Sequence, residues 1–228
     1  MTPRAIVTDI EGTTSSLSFV HDILFPYSRA RLANYVAAHA QDVGPILDAV
    51  RQEAGDPSMD SDGCIARMLE WHDADRKIGS LKTLQGLIWK TGFESGVLKG
   101  HVYADAVDGL RRWHARGIAL YIYSSGSIEA QKLLFGHTEQ GDLTPLFTGH
   151  FDTAIGGKKE AGAYRAIAAQ IGIPPADILF LSDIEAELAA AQEAGFAVTL
   201  LVREGPLREA GFPAAADFDS ILPEVQPA

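Results

Sequence analysis

Three apolar residues near the start of the chain, Ala5-Ile6-Val7, run straight into two acids at i and i+2, Asp9 and Glu11, followed by Gly12-Thr13-Thr14. The run reads as a buried strand. In an extended chain i and i+2 share a face, and just past a strand end both groups can converge on one point in a crevice. Carboxylates so placed repel each other and lose water, so they call for a hard cation or a reacting phosphate. The plain alternative is that Asp9 and Glu11 are turn residues after a first strand. The rest of the chain decides between the two.

No strand-like run follows for about eighty residues. An amphipathic stretch at 20–38 carries Pro26 as a start or a kink, and helical periodicity returns at 43–54, 63–78 and 80–95. From Tyr103 helix and strand alternate. Helices are expected at 104–116, 129–135, 161–171 and 184–194, and strands at 118–123, 151–155, 178–181 and 197–202. The tail beyond Arg203 carries weak signals. Strands buried on both faces and alternating with helices give an α/β fold with a doubly wound parallel sheet. The helical block then becomes an insertion after the first strand. The expected division is a core of residues 1–16 plus 100–228 and an all-helical cap of residues 17–99, over the sheet edge where such folds bind ligands.

Composition narrows the function classes. A formal net charge of −11 argues against nucleic acid and against anionic membrane surfaces. No run approaches the length of a membrane span, and no leader pattern precedes the first strand. Cys64 is the single cysteine, which excludes an internal disulfide and suits a reducing, cytoplasmic setting. An acidic enzyme acting on a phosphorylated substrate needs a cation and local lysine charge to offset its own field.

Four strand ends supply such groups: Asp9 and Glu11; Ser124 and Ser125; Lys158 or Lys159; and Asp183. Singly, each has a plain structural reading, the serines and Asp183 as helix N-caps and the lysines as a solvated helix start. Jointly they form a phosphate-transfer set. A carboxylate can attack phosphorus, and a second acid can protonate the leaving oxygen and then activate water. Mg²⁺ lets a negative nucleophile approach a negative substrate, while hydroxyl, backbone N–H and lysine hold the transferring oxygens.

These residues resemble the haloacid dehalogenase superfamily of phosphatases, with a nucleophilic aspartate, a serine or threonine, a lysine and an acidic last motif. Asp9-Ile10-Glu11-Gly12-Thr13-Thr14, with glutamate as its second acid, resembles the enolase-phosphatase (acireductone synthase) family of methionine salvage. So do Phe19–Tyr27, Leu84–Trp89, Tyr121–Ser127 and Gln131–Gly136. The resemblance implies Asp9 as nucleophile and Mg²⁺ ligand, and Glu11 as general acid/base that also ligates, through its backbone carbonyl. It implies Asp183 as third ligand, Ser124 and Ser125 as phosphate holders, and Lys158 through the spacing Gly156-Gly157-Lys158-Lys159-Glu160, with Lys159 as runner-up. Glu187, one turn beyond Asp183, would orient the lysine or a metal-bound water. The implied substrate is a small phosphorylated diketone, 5-methylthio-2,3-dioxopentyl phosphate, enolised and dephosphorylated by a monomeric enzyme.

The enolisation base stays open among His21, Lys90 and Glu94, each of which also reads as a structural or surface residue. Phe25, Leu87, Trp89 and Phe93 suit either the methylthio end of the substrate or the core of the cap itself. Three rivals remain: a generic capped phosphatase, a metal-free dehalogenase, and a receiver-like signalling module. The receiver places its acceptor aspartate on a middle strand and lacks the helical insertion.

Overall fold

The run that begins the chain forms a strand with no exposed position. The structure is a computed structural model that describes residues 2–207 and 211–222. Its strands are β1 (Ala5–Thr8), β2 (Ala119–Tyr123), β3 (Gly149–Phe151), β4 (Ile178–Ser182), β5 (Ala197–Leu201) and β6 (Ala214–Ala215). They make one sheet in the order β3-β2-β1-β4-β5-β6, with every pairing parallel. β1 is buried throughout because it pairs on both sides, Thr8 lying opposite Ile122 and Leu181. The chain leaves β1 towards β2 and β3, then returns to β4 on the other flank. This reversal of strand order beside β1 is where open parallel sheets leave a crevice at their carboxyl ends.

The chain divides into two compact units, Met1–Leu17 with Lys99–Ala228, and Ser18–Leu98. The second is entirely helical among the described residues: a π-helical turn, Phe19–Leu24, then α1 (Phe25–Ala38), α2 (Gly44–Ala54), α3 (Ser61–Asp73) and α4 (Gly79–Glu94). It has its own core, in which Leu32, Val50, Cys64, Met68, Leu84 and Ile88 are almost fully buried. The amphipathic stretch at 20–38 is thus two elements, and Pro26 falls at the start of the second. Pro26 lies in the first turn of α1, where its missing N–H breaks no helical bond. The π turn before it is tied down by Trp89, whose Nε1–H donates to the Leu24 carbonyl at 2.8 Å.

In the first unit, α5 (Ala104–Ala115), α6 (Ile128–Gly136), α7 (Ala161–Ile171) and α8 (Glu185–Glu193) alternate with the strands. Together they give the α/β, haloacid-dehalogenase-like architecture expected from the sequence. Two details differ. The third strand lies at Gly149–Phe151 rather than 151–155, because Tyr121–Tyr123 offers its ladder to those residues. Asp152 then accepts from the Ala154 N–H at 2.9 Å and starts a 3₁₀ turn, Thr153–Ile155. The tail also contributes a short sixth strand and a core residue, Phe218.

Phe218 is fully buried and stacks on Trp113 with ring centroids 5.1 Å apart. It approaches α5 at Gly109, where a Cβ would stand 2.8 Å from the Phe218 Cβ. Phe218→Ala should therefore cost about 3–5 kcal/mol of stability, measured by denaturant unfolding. A loss under about 1 kcal/mol would show that the tail is dispensable.

Candidate active site

Parallel pairing in register puts the residues just past β1, β2 and β4 on one sheet edge. Asp9 follows β1 directly, Ser124 follows β2, and Asp183 follows β4. The turn after β1 is tight. The N–H groups of Thr13, Thr14 and Ser15 all converge on the Ile10 carbonyl at 2.9–3.1 Å. Gly12 makes this possible. Its φ is +75°, a left-handed value that favours glycine, and an added Cβ would stand 2.6 Å from Asp183 Cγ. The bare backbone at Gly12 is what lets the Asp183 carboxylate lie against the turn.

Lys158 comes from farther away, beyond β3 and the 3₁₀ turn. Its Nζ lies 2.6 Å from Asp9 Oδ1 and 2.8 Å from Glu187 Oε2, with all three side chains at most 10% exposed. Two tyrosines fix the loop that carries it. Tyr123 donates to the Gly156 carbonyl at 2.9 Å, and Tyr164 donates to the Lys158 carbonyl at 2.7 Å. Burial alone would push the Lys158 ammonium down, but Asp9 and Glu187 carry it above the ordinary lysine value, so it stays charged. Lys159 is exposed. Geometry thus separates the two lysines that sequence left adjacent.

The remaining expected residues gather around this pair. Ser124 is fully buried and its Oγ donates to Glu11 Oε2 at 3.4 Å, while also accepting from the Gly126 N–H. Ser125 is exposed. Burial, then the charge of Asp9, raises the Glu11 carboxyl above the usual carboxylate range. The same two causes push Asp183 up to about 6. Glu187 accepts from Ser182 Oγ at 3.0 Å as well as from Lys158. Among the described residues no three His, Cys, Asp or Glu side chains close on one point as a ready cage. The set offered here is of another kind: two carboxylates, Asp9 and Asp183, and the main-chain carbonyl of Glu11. Asp183 Oδ1 is buried without a hydrogen-bond partner. An orphaned anionic oxygen beside a second carboxylate fits a hard cation that fills its remaining positions with water and phosphate oxygen.

The chain is similar to known proteins. The haloacid dehalogenase-like hydrolase family matches residues 3–195. The enolase-phosphatase E1 of Methylococcus capsulatus is 58% identical over 224 residues, 97% of this chain and 99% of that protein. The chain belongs to the enolase-phosphatase E1 family of haloacid dehalogenase-like hydrolases. The enolase-phosphatase E1 of Pseudomonas aeruginosa is 53% identical, covering 98% of this chain and 100% of that protein. The crystal structure of the UTR4 protein of Saccharomyces cerevisiae matches with a TM-score of 0.81 at 33% identity, over 96% of this chain and 100% of that one. As a member of this family the protein is a phosphatase enzyme.

Sequence reasoning passed over the residues that hold this family's motifs in position. Thr13 Oγ1 accepts from the Asp183 N–H at 3.1 Å and so ties the two acidic loops together. Tyr123, Tyr164 and Ser182 carry no pattern of their own, since a buried hydroxyl in a strand or helix looks like ordinary core until its partner is seen. Gly12→Ala should displace Asp183 and lower phosphatase activity by about 100-fold while the circular dichroism spectrum keeps its shape. Activity within about threefold of the parent would mean that the contact of Gly12 with Asp183 is immaterial.

Proposed function

We propose that the protein is a Mg²⁺-dependent enolase-phosphatase that converts 5-methylthio-2,3-dioxopentyl phosphate to 1,2-dihydroxy-5-(methylthio)pent-1-en-3-one and phosphate, as a step of methionine salvage. The observation that carries the chemistry is the buried Asp9 carboxylate, paired with Lys158 and flanked by Glu11 and by the partnerless oxygen of Asp183. The substrate is inferred from membership in the family, whose members are named for both activities.

Asp9 attacks phosphorus through its carboxylate, forming an aspartyl-phosphate as the ester P–O bond breaks. Glu11, whose carboxyl burial raises, gives a proton to the leaving oxygen, and it then takes one from the water that hydrolyses the acyl phosphate. Lys158 orients Asp9 and pairs with the transferring oxygens, and Ser124 presents its hydroxyl on the same side. Ser125, exposed beside it, is the second phosphate holder. Glu187 keeps the lysine charged and aimed. Asp9, Asp183 and the Glu11 carbonyl would hold Mg²⁺, which neutralises the repulsion between carboxylate and phosphate and polarises the diketone for enolisation.

The helical unit is proposed as the cap domain. Phe93 is buried, while Phe25, stacked on Trp89 with centroids 6.3 Å apart, stays half-buried as does Leu87. His21 and Glu94 are exposed and Lys90 half-buried, and these three are the cap groups to vary in search of the enolisation base.

The purified protein should turn over the diketone phosphate with an ultraviolet signal from the enol, and lose both steps on chelation of Mg²⁺. Phosphate release from many sugar phosphates with no enol signal would make it a generic capped phosphatase, and turnover that survives chelation would point to metal-free chemistry. Asp9→Asn should abolish phosphate release in a folded protein, because an amide is a poor nucleophile. Lys158→Ala should lower kcat by at least about 100-fold, where Lys159→Ala stays within about twofold. The reverse order would reassign the lysine.

A further inference from the structure

Arg203 follows β5, the strand beside β4, and its side chain is only 10% exposed. Its guanidinium is engaged by groups from three parts of the chain. Nε and Nη2 both donate to the Thr13 carbonyl, at 2.9 and 2.6 Å. Nη1 donates to Asp105 Oδ2 at 2.7 Å, at the start of α5, and that same oxygen accepts from the Phe218 N–H at 2.8 Å. The Tyr103 ring lies 4.2 Å from the guanidinium carbon and the Phe218 ring 5.2 Å. The Tyr103 N–H donates to the next carbonyl of the turn, Thr14 O, at 3.0 Å.

Thr13 faces both ways. Its carbonyl is held by Arg203, and its Oγ1 accepts from the Asp183 N–H. The guanidinium therefore reaches Asp183 through one residue of the Asp9–Thr14 turn. We propose that Arg203 is a positioning residue: by clamping Thr13 it sets the spacing between the Asp9–Glu11 turn and Asp183, and with it the affinity of the site for a divalent cation.

The chemistry favours arginine specifically. The Thr13 carbonyl is buried and needs a donor, which a lysine or a water could provide. A planar fork instead gives two N–H groups to one oxygen while a third bond and two aromatic faces stop the plane from turning. A single ammonium can satisfy the carbonyl or Asp105 but cannot hold both at fixed angles. A cation site built from two loops tolerates little change in their separation, since Mg²⁺ demands near-ideal octahedral geometry at short distances.

This inference rests on the Mg²⁺ reading above, and the test separates the two. Mg²⁺ is titrated into Arg203→Lys, into Thr13→Val and into the parent, following the rise in melting temperature as the metal binds. Val198→Ala, buried at the amino end of β5, serves as a control for lost stability alone. Arg203→Lys and Thr13→Val should bind Mg²⁺ about 10–100-fold more weakly than the parent, with kcat largely recovered at saturating metal. Val198→Ala should melt a few degrees lower with parental affinity. If Arg203→Lys does not fold, Thr13→Val decides. Parental Mg²⁺ affinity in the folded Arg203 or Thr13 variant, or an equal loss in Val198→Ala, would overturn the positioning role. A parent that binds no Mg²⁺ would overturn the metal reading itself.

Discussion

The lysine-centred chain of charges, Asp9 to Lys158 to Glu187, is the interaction on which the rest of the structure turns. Three ionisable side chains at most 10% exposed are tolerable only because each has an acid–base partner within 2.8 Å. Removing one partner from such a set strands a buried charge, which is why the loop that delivers Lys158 is held so firmly. Tyr123 and Tyr164 grip its backbone on either side of the lysine, and both rings belong to the core beneath it. Packing of the sheet and helices is thereby converted into the position of one ammonium group.

The same arrangement explains why the site needs more than its protein charges. Four acids, Asp9, Glu11, Asp183 and Glu187, face a single lysine, and burial and mutual repulsion lift Glu11 and Asp183 above their ordinary values. Such a site is electrostatically incomplete, and an incomplete site is selective. This imbalance supports the proposed hard cation, accompanied by a phosphate that would bring further oxygens. The proposed Mg²⁺, together with Lys158, would reverse the field locally and so let a strongly acidic chain accept a phosphorylated substrate.

Much of this was legible in the order of residues alone. The apolar run before Asp9, the continuous run ending at Tyr123 and the run Ile178–Leu181 each marked a strand. Parallel strands deliver their carboxyl-terminal neighbours to one edge, so Asp9, Ser124 and Asp183 could be grouped from their positions. The helical block was plain from its period and from the lack of any strand-like run. Elsewhere local signals were too weak. Gly149–Phe151 is a strand only because β2 offers it a ladder. The tail holds Phe218 and a two-residue strand whose stability comes from Trp113 and β5, neither of them nearby in the chain.

The sequence by itself therefore determined chemistry and class: which residue types stand at strand ends, a parallel α/β core, a helical insertion, and a family resemblance dense enough to name. Only the tertiary structure decided which neighbours meet. Lys158 and Lys159 differ by one position, yet one lies in the ion-pair chain and the other in solvent. Arg203 reads as the start of a featureless tail, yet it grips the turn that carries the acids. The reason is physical. Strand and helix signals are written in local periodicity, whereas a contact between residues 13 and 203 or 9 and 158 is fixed by the register of a sheet and the path of a loop, on which no short window of sequence reports.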